Sequence, residues 1–212
     1  ARDISPRILQ STRAINELFD SLFDLTRIDA GNYKVRLQNV DVLQLFAELA
    51  TQFEPVAAGK SLKFRTYAKP TTLWADPVVL RRILGNLLSN AFRHTRRGGV
   101  LLGLRRREDV LVFEVWDTGV GIAREHQQAI FQEFFRVSQH QGTEDSLGLG
   151  LTIVSKLTTL MGYQLALSSE AERGSVFRVL LPAYTQKSEK SALETATTPD
   201  VVVPRSAAQA SG

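Results

Sequence analysis

Asn86 and Asn90 stand one helical turn apart, and Arg93 and His94 follow within the next turn. Amide oxygens are hard, neutral ligands that suit a hydrated magnesium ion. Cations beside them suit the phosphates such an ion would carry. A second group opens on Asp117 and continues Thr118-Gly119-Val120-Gly121-Ile122. An acidic residue followed by two glycines spaced by one gives a sharp turn with an exposed carboxylate and open backbone amides. A third group is Leu147-Gly148-Leu149-Gly150-Leu151 at the start of an apolar, helix-like run. Glycines there leave helix N-terminal amides open, and the helix dipole favours an anion beside them. Each group also has a plain structural reading: a solvated helix face, an ordinary turn, a helix start. Their succession along one chain says more than any one of them.

The elements that must position these groups follow from periodicity. Read at about 100° per residue, residues 80–95 place Leu80, Leu84, Leu87, Leu88 and Ala91 on one face, with Arg82, Asn86, Asn90, Arg93 and His94 on the other. Asp76-Pro77 supplies an N-cap and a proline at the first helical position. Upstream, residues 34–40 predict a strand leading to Asp41, which can cap a helix through Val42, Leu45, Phe46, Leu49 and Phe53. Residues 62–67 and 73–75 predict strands. Residues 100–106 and 109–116 predict a hairpin with Leu111, Phe113 and Val115 on one side, and with Arg105–Arg107 at its tip. Residues 124–131 predict a helix, and 133–146, without periodicity, a mobile flap. A helix through Val154, Leu157 and Met161 stops at Gly162, and residues 164–168 and 175–181 close the α/β unit as a second hairpin through Gly174.

Ahead of this unit, residues 5–30 predict one long helix. Ile8, Ile15, Leu18, Leu22 and Leu25 form a narrow seam that Phe19 and Phe23 widen. Such a stripe needs a partner helix or a second chain. The organisation read from the sequence is therefore residues 1–31 as part of a helical bundle, 32–184 as an α/β domain, and 185–212 as a Ser/Ala/Thr-rich linker or tail.

The chain has 212 residues, 43% hydrophobic and 23% charged, with a net charge of +4 and no cysteine. That composition suits a globular protein, and the lack of cysteine is compatible with the cytosol. No apolar run approaches the roughly 18 residues of a membrane span, and no signal-peptide pattern opens the sequence. Arginine is concentrated at 93–97 and 105–107. The latter run has no interleaved aromatics, so it reads as a solvated basic turn rather than a nucleic-acid platform.

Taken in order, the motifs resemble those of the ATP-binding catalytic domain of sensor histidine kinases, members of the Bergerat-type ATPase superfamily. ILGNLLSNAFRHT resembles the N box, DTGVGI the first glycine box, FQEFF with Arg136 the F box, LGLGLTIV the second glycine box, and RGSVFRVLLP the last glycine motif and closing strand. ELFDSLFDLTRIDAG resembles the second helix of the family's dimerisation domain. The resemblance implies a two-layer α/β sandwich preceded by that long helix, with ATP and Mg2+ held between the N-box helix and the flap.

Position by position, it implies that Asn90 is the main magnesium ligand and Asn86 a second or water-mediated one. Arg93, where lysine is common, and His94 would meet phosphate or ribose. Asp117 would accept from the adenine amino group, Gly119 and Gly121 would let the backbone approach the base, and Ile122 and Leu151 would line the adenine slot. Gly148 and Gly150, flanking Leu149, match the flap-hinge glycines near the phosphates, and Arg136 an arginine facing the γ-phosphate. This is the equipment phosphoryl transfer needs: positioning, a metal bridge and cations.

Two departures carry information. Ser146 and Leu147 replace the usual Gly-Thr of the second glycine box. The family's phospho-accepting histidine, normally followed by an acidic residue, has no counterpart among His94, His126 and His140; the last two read as solvated loop residues. Hydrolysing relatives carry a glutamate base where Asn86 stands, so steady hydrolysis is not expected. The expectation is transfer of the γ-phosphate to a histidine on a missing dimerisation helix, with a response regulator or receiver domain downstream and a homodimer formed through the N-terminal helix. Cytoplasmic placement follows, a longer protein being free to carry a membrane anchor. A non-catalytic nucleotide sensor or scaffold of the same fold is the competing reading.

Overall fold

A computed structural model describes residues 19, 22–23, 25–135 and 148–182. The expected N-terminal helix is seen at its end, where residues 25–29 are helical; most of its seam lies outside the described residues. Gly31, at φ 66°, ends it. Phe19, Leu22 and Phe23 are exposed, whereas Leu25, at 5% exposure, joins the core of the α/β unit.

Asp41 ends strand β1 (Gln38–Asp41) and caps helix α1 (Val42–Gly59), its carboxylate accepting from the amides of Leu43 and Gln44 at 2.8 and 3.3 Å. These are two of the amides a helix start leaves open. Strands β2 (Lys63–Tyr67) and β3 (Thr72–Ala75) follow. Helix α2 (Pro77–His94) begins as its sequence dictates: the Asp76 carboxylate accepts from Val78 and Val79 at 2.9 and 3.1 Å, and Pro77 needs no amide partner. The other Asp76 oxygen takes the amide of Arg36 at 2.8 Å, which pins the segment before β1. Next come β4 (Gly99–Arg107), β5 (Val110–Asp117), two 3-10 turns (Arg124–His126 and Ala129–Phe131), helix α3 (Gly150–Leu160), β6 (Gln164–Glu170) and β7 (Gly174–Pro182).

Five strands form one sheet in the order β2-β4-β5-β7-β6, with β2 parallel to β4 and the other neighbours antiparallel; β1 and β3 form a separate antiparallel ribbon. Alternation sends Val100, Leu102 and Leu104, Leu111, Phe113 and Val115, and Phe177, Val179 and Leu181 to one face, where they join the helices in the core. The result is the mixed α/β architecture expected, a sheet packed against helices. Helix α2 buries Val79, Leu80, Ile83, Leu84, Leu87, Leu88, Ala91 and Phe92. The stripe is wider than the five residues of the sequence reading because α2 also packs against α1 and α3. Phe92 stacks on Phe53 at 5.6 Å and meets Phe64 edge-on at 5.2 Å. Burying each such leucine or phenylalanine is worth roughly 1.5–3 kcal/mol.

On the opposite face of the sheet a carboxylate is buried. Glu114, 2% exposed, accepts from Arg178 at 3.0 Å and from the Trp116 indole at 3.3 Å, and pairs with Arg105 at 3.2 Å. Arg178 also lies over the Trp116 ring at 5.6 Å.

Three expectations need correction. The strand expected at 34–40 is regular only from Gln38. The helix expected at 124–131 is two 3-10 turns, because Ile130 is the one buried residue among their six and no apolar stripe holds a continuous helix down. Arg105–Arg107 belongs to β4 rather than the hairpin tip, which falls at Glu108 (φ 50°) and Asp109.

Candidate functional site

The asparagine row of α2 is half-buried rather than fully solvated. The Asn86 amide nitrogen donates to the Arg82 carbonyl at 2.8 Å, so its orientation is set by the helix itself. Its oxygen faces Gly150 and lies 3.1 Å from where a β-carbon on that glycine would stand. The N-box face and the start of α3 therefore meet. Asn90, Arg93 and His94 continue the row, also half-buried. At the C-terminal end of α2 the Lys60 ammonium donates to the Phe92 carbonyl at 2.7 Å, and burial and the nearby Arg93 charge lower its pKa. That end is a cationic corner.

The glycine turn after β5 docks on the same end. The Val120 amide donates to the His94 carbonyl at 3.3 Å, and a β-carbon on Gly119 would stand 2.5 Å from that carbonyl oxygen, so only glycine fits. Gly121 holds φ 65° against the β6–β7 turn, where Glu172 donates to the Val120 carbonyl at 2.7 Å. The Asp117 carboxylate accepts from the Gly119 amide at 2.8 Å, and Asp117 pairs with Ser175 in the β5–β7 register, where hydrogen bonding from Ser175 also favours the charged form. Burial pushes its pKa above the ordinary carboxylate value, and those hydrogen bonds oppose the rise.

Ile122 is half-buried beside this turn, and its amide donates to the Ser169 hydroxyl at 2.8 Å. Gly148 adopts φ 71°, and a β-carbon there would stand 2.8 Å from the Phe135 carbonyl, so residues 135 and 148 lie side by side; most of the segment expected as a flap lies outside the described residues. Leu151 is half-buried; Leu149, at 3% exposure, is a core residue that anchors the loop instead of offering its side chain to a ligand. His126 lies 3.6 Å from Glu125 with its ring 6.0 Å from that of Phe135, partly packed rather than simply solvated. Arg136, His140, Ser146 and Leu147 lie outside the described residues.

The sequence reading missed the side chains that brace this site. Ser169, Gln127 and Lys60 lie in no motif, and Thr118 and Ser175 lie inside two motifs without a role assigned to their hydroxyls. Ser169 and Ser175 become neighbours only through the β6–β7 register, and Thr118 accepts from Gly99 and donates to Arg97, each at 3.0 Å.

The donor set also bears on a metal. Among the described residues no group of three or more His, Cys, Asp or Glu side chains could hold an ion. What the α2 face offers is neutral: the oriented oxygen of Asn86 and the amide of Asn90, flanked by Arg93 and His94. Such a set fits a hard divalent cation whose charge is balanced by a ligand's phosphates rather than by protein carboxylates.

This arrangement has known counterparts. Residues 75–185 match the family described as "Histidine kinase-, DNA gyrase B-, and HSP90-like ATPase". The chain belongs to that family. It is 30% identical over 193 residues to the sensor histidine kinase RcsC of Escherichia coli strain K12, covering 87% of this chain and 20% of RcsC. It is 30% identical over 179 residues to the aerobic respiration control sensor protein ArcB of the same strain, covering 82% of this chain and 23% of ArcB. The chain thus spans about a fifth of the length of these relatives. Among solved structures, full-length ShkA in complex with AMPPNP superposes with a TM-score of 0.71 at 31% identity, covering 78% of this chain and 35% of that one. The histidine kinase ThkA, solved in complex with the response regulator protein TrrA, shares the fold with a TM-score of 0.63 at 22% identity over 82% of this chain and 50% of that one. No helix among the described residues is long and apolar enough to cross a membrane.

Proposed function

We propose that this chain is the ATP-binding catalytic portion of a sensor histidine kinase, which transfers the γ-phosphoryl group of ATP to a histidine outside the chain. The observation that carries the proposal is the convergence of Asn86 with Gly150 and of His94 with Gly119, which brings three separated motifs together; the crevice between them is the proposed nucleotide site.

In that crevice Asp117 would accept the adenine amino group, Gly119 and Gly121 would admit the base, and Ile122 and Leu151 would flank it. Arg93 and His94 would meet phosphate or ribose, and Arg136 the γ-phosphate. The open amides at Gly148 and Gly150 and the dipole of α3 favour phosphate there. Asn90 and Asn86 would hold Mg2+, which would supply positive charge to offset that developing on the transferred phosphoryl group. The P–O bond to the ADP leaving group breaks as a bond to an imidazole nitrogen of the acceptor forms. The chain contributes position and charge, and no carboxylate on the α2 face stands ready to orient water in the acceptor's place.

The wider assignments rest on the same reading: residues 1–31 as the second helix of a dimerisation domain, 32–184 as the catalytic domain, 185–212 as a linker or tail, a homodimer through the N-terminal helix, a response regulator or receiver domain as recipient, and a cytoplasmic setting.

Titration with a fluorescent ATP analogue, with and without Mg2+, tests the site. Magnesium-dependent binding in the micromolar range, about −7 to −8 kcal/mol, is expected. Adding a helical segment that carries an acceptor histidine should then yield acid-labile label from γ-labelled ATP on that segment. Absence of nucleotide binding would refute the assignment; binding without transfer would leave a nucleotide sensor.

A further inference from the structure

Helix α2 ends where Arg93 and His94 stand, and its last turn is held carbonyl by carbonyl. The Thr95 backbone is extended, so the helix stops there and its final carbonyls need partners from elsewhere. The Ala91 carbonyl takes the Thr95 amide at 3.0 Å and the Thr95 hydroxyl at 2.7 Å. The His94 carbonyl takes the Val120 amide at 3.3 Å. Between them, the Phe92 carbonyl accepts from the ammonium of Lys60, the C-cap residue of α1, at 2.7 Å.

A cation suits that place. The carbonyls at a helix C-terminus carry partial negative charge, which an ammonium beside them offsets. Phe92 is 1% exposed, so without the ammonium its carbonyl would be left short of a partner. The next two residues along the chain are Arg93 and His94, which are assigned to phosphate or ribose. The turn that follows Asp117 has supports of its own. The Thr118 amide donates to the Gly99 carbonyl at 3.2 Å, the Glu172 amide to the Val120 carbonyl at 2.7 Å, and the Ile122 amide to the Ser169 hydroxyl at 2.8 Å.

We propose that Lys60 is a positioning residue for phosphate recognition: by holding the Phe92 carbonyl it fixes the helix end from which Arg93 and His94 extend, without touching the nucleotide itself. This rests on the crevice being a nucleotide site. Without the ammonium, the last turn of α2 loses one of these three fixed carbonyls. Arg93 and His94 then sample settings other than the one that meets phosphate. The loss falls on the phosphate part of the ligand, because the turn that meets the base keeps its bonds to the sheet and to the β6–β7 hairpin.

ATP and adenosine share base and ribose and differ in the phosphates, so the pair separates the two ends of the site. Displacement of a fluorescent nucleotide, with Mg2+ present, should be compared in the wild-type chain, Lys60→Met, Lys60→Arg and Lys63→Met. ATP affinity should fall about tenfold in Lys60→Met, the scale of losing one hydrogen bond that involves a charged group. Adenosine affinity should change little, and Lys60→Arg, which keeps a charged N–H donor, should restore ATP binding. Lys63→Met removes the same charge from an exposed position on β2 and should bind ATP as the wild type does. Amide exchange at Thr95, measured without nucleotide, should accelerate in Lys60→Met only. Unchanged ATP affinity in Lys60→Met, or equal losses for ATP and adenosine, would overturn the proposal and leave Lys60 a structural cap. An equal loss in Lys63→Met would overturn it in favour of overall charge, and a Thr95 amide as protected in Lys60→Met as in the wild type would overturn it too. A wild-type chain that binds neither ligand would instead bring down the site assignment itself, and this proposal with it.

Discussion

The side-chain oxygen of Asn86 and the α-carbon of Gly150 face each other so closely that a β-carbon on the glycine would stand 3.1 Å from that oxygen. Gly150 is the first residue of α3, where alanine is the better helix former by about 1 kcal/mol. Gly150→Ala should therefore leave thermal stability unchanged or slightly raised, yet push the amide off its setting. Magnesium-dependent nucleotide affinity is expected to fall by about an order of magnitude, whereas Ser155→Ala on the same helix should leave it intact. Titration beside a melting curve separates the two effects; equal affinities in wild type and Gly150→Ala would show that the contact does not matter for binding.

Asp117 should make binding and stability respond to pH in opposite directions. Its folded pKa is raised by burial, so the carboxylate is less favourable in the fold than in the unfolded chain. Its contribution to stability is then full below the ordinary carboxylate value and is lost as pH rises through the raised one. Nucleotide affinity runs the other way, because a protonated carboxyl no longer serves as a pure acceptor, and affinity drops as pH falls through that same raised pKa. Asp117→Asn should flatten the binding profile and weaken affinity at every pH. A wild-type affinity that is constant from neutrality down to the ordinary carboxylate range would contradict this.

Glu114 is buried between two arginines and an indole, on the face of the sheet away from the helices. Removing one member of a buried ion pair can cost 3–5 kcal/mol. Arg105 is half-exposed and can regain water, so about 1–2 kcal/mol is expected for Glu114→Ala, with Arg178 bearing most of it. Denaturant unfolding gives the number. A loss of comparable size in nucleotide affinity would mean that this face communicates with the crevice, which the structure gives no reason to expect.

Lys156 of α3 joins three segments: its ammonium lies 2.6 Å from Asp29 at the end of the N-terminal helix and 3.0 Å from Glu133, just past the second 3-10 turn. Both carboxylates are about half exposed, so each pair is worth under about 1 kcal/mol. Lys156→Met should barely move the melting temperature but should speed amide exchange around residues 26–32, since Leu25 would remain as the apolar anchor. A matching loss in Asp29→Asn, with no further loss in the double variant, would fix the pair as the cause.

How much of this was legible beforehand depends on the range of the interaction that decides it. The caps at Asp41 and Asp76, the strands that carry Asp117 and Gly174, and the two-faced helix through Asn86 and Asn90 follow from local rules. A carboxylate reaching amides two and three residues ahead, or an apolar residue returning every turn, needs no distant partner. The 124–131 segment failed for the same reason: it is rich in helix formers, but only Ile130 is buried, and one anchor does not sustain a helix.

The sequence by itself determined the residue types of the crevice, their order and the turns that present them, because those are properties of neighbours along the chain. Only the tertiary structure decided that Gly150 comes to rest on Asn86, that Gly119 seats on the carbonyl of His94, and that Leu149 is spent on the core. It alone decided that the Ser169 and Ser175 hydroxyls come to lie 3.0 Å apart. Those contacts arise where strands find their register and helices pack, and each hydroxyl acquires its partner from a segment far away in sequence, so no local pattern encodes them.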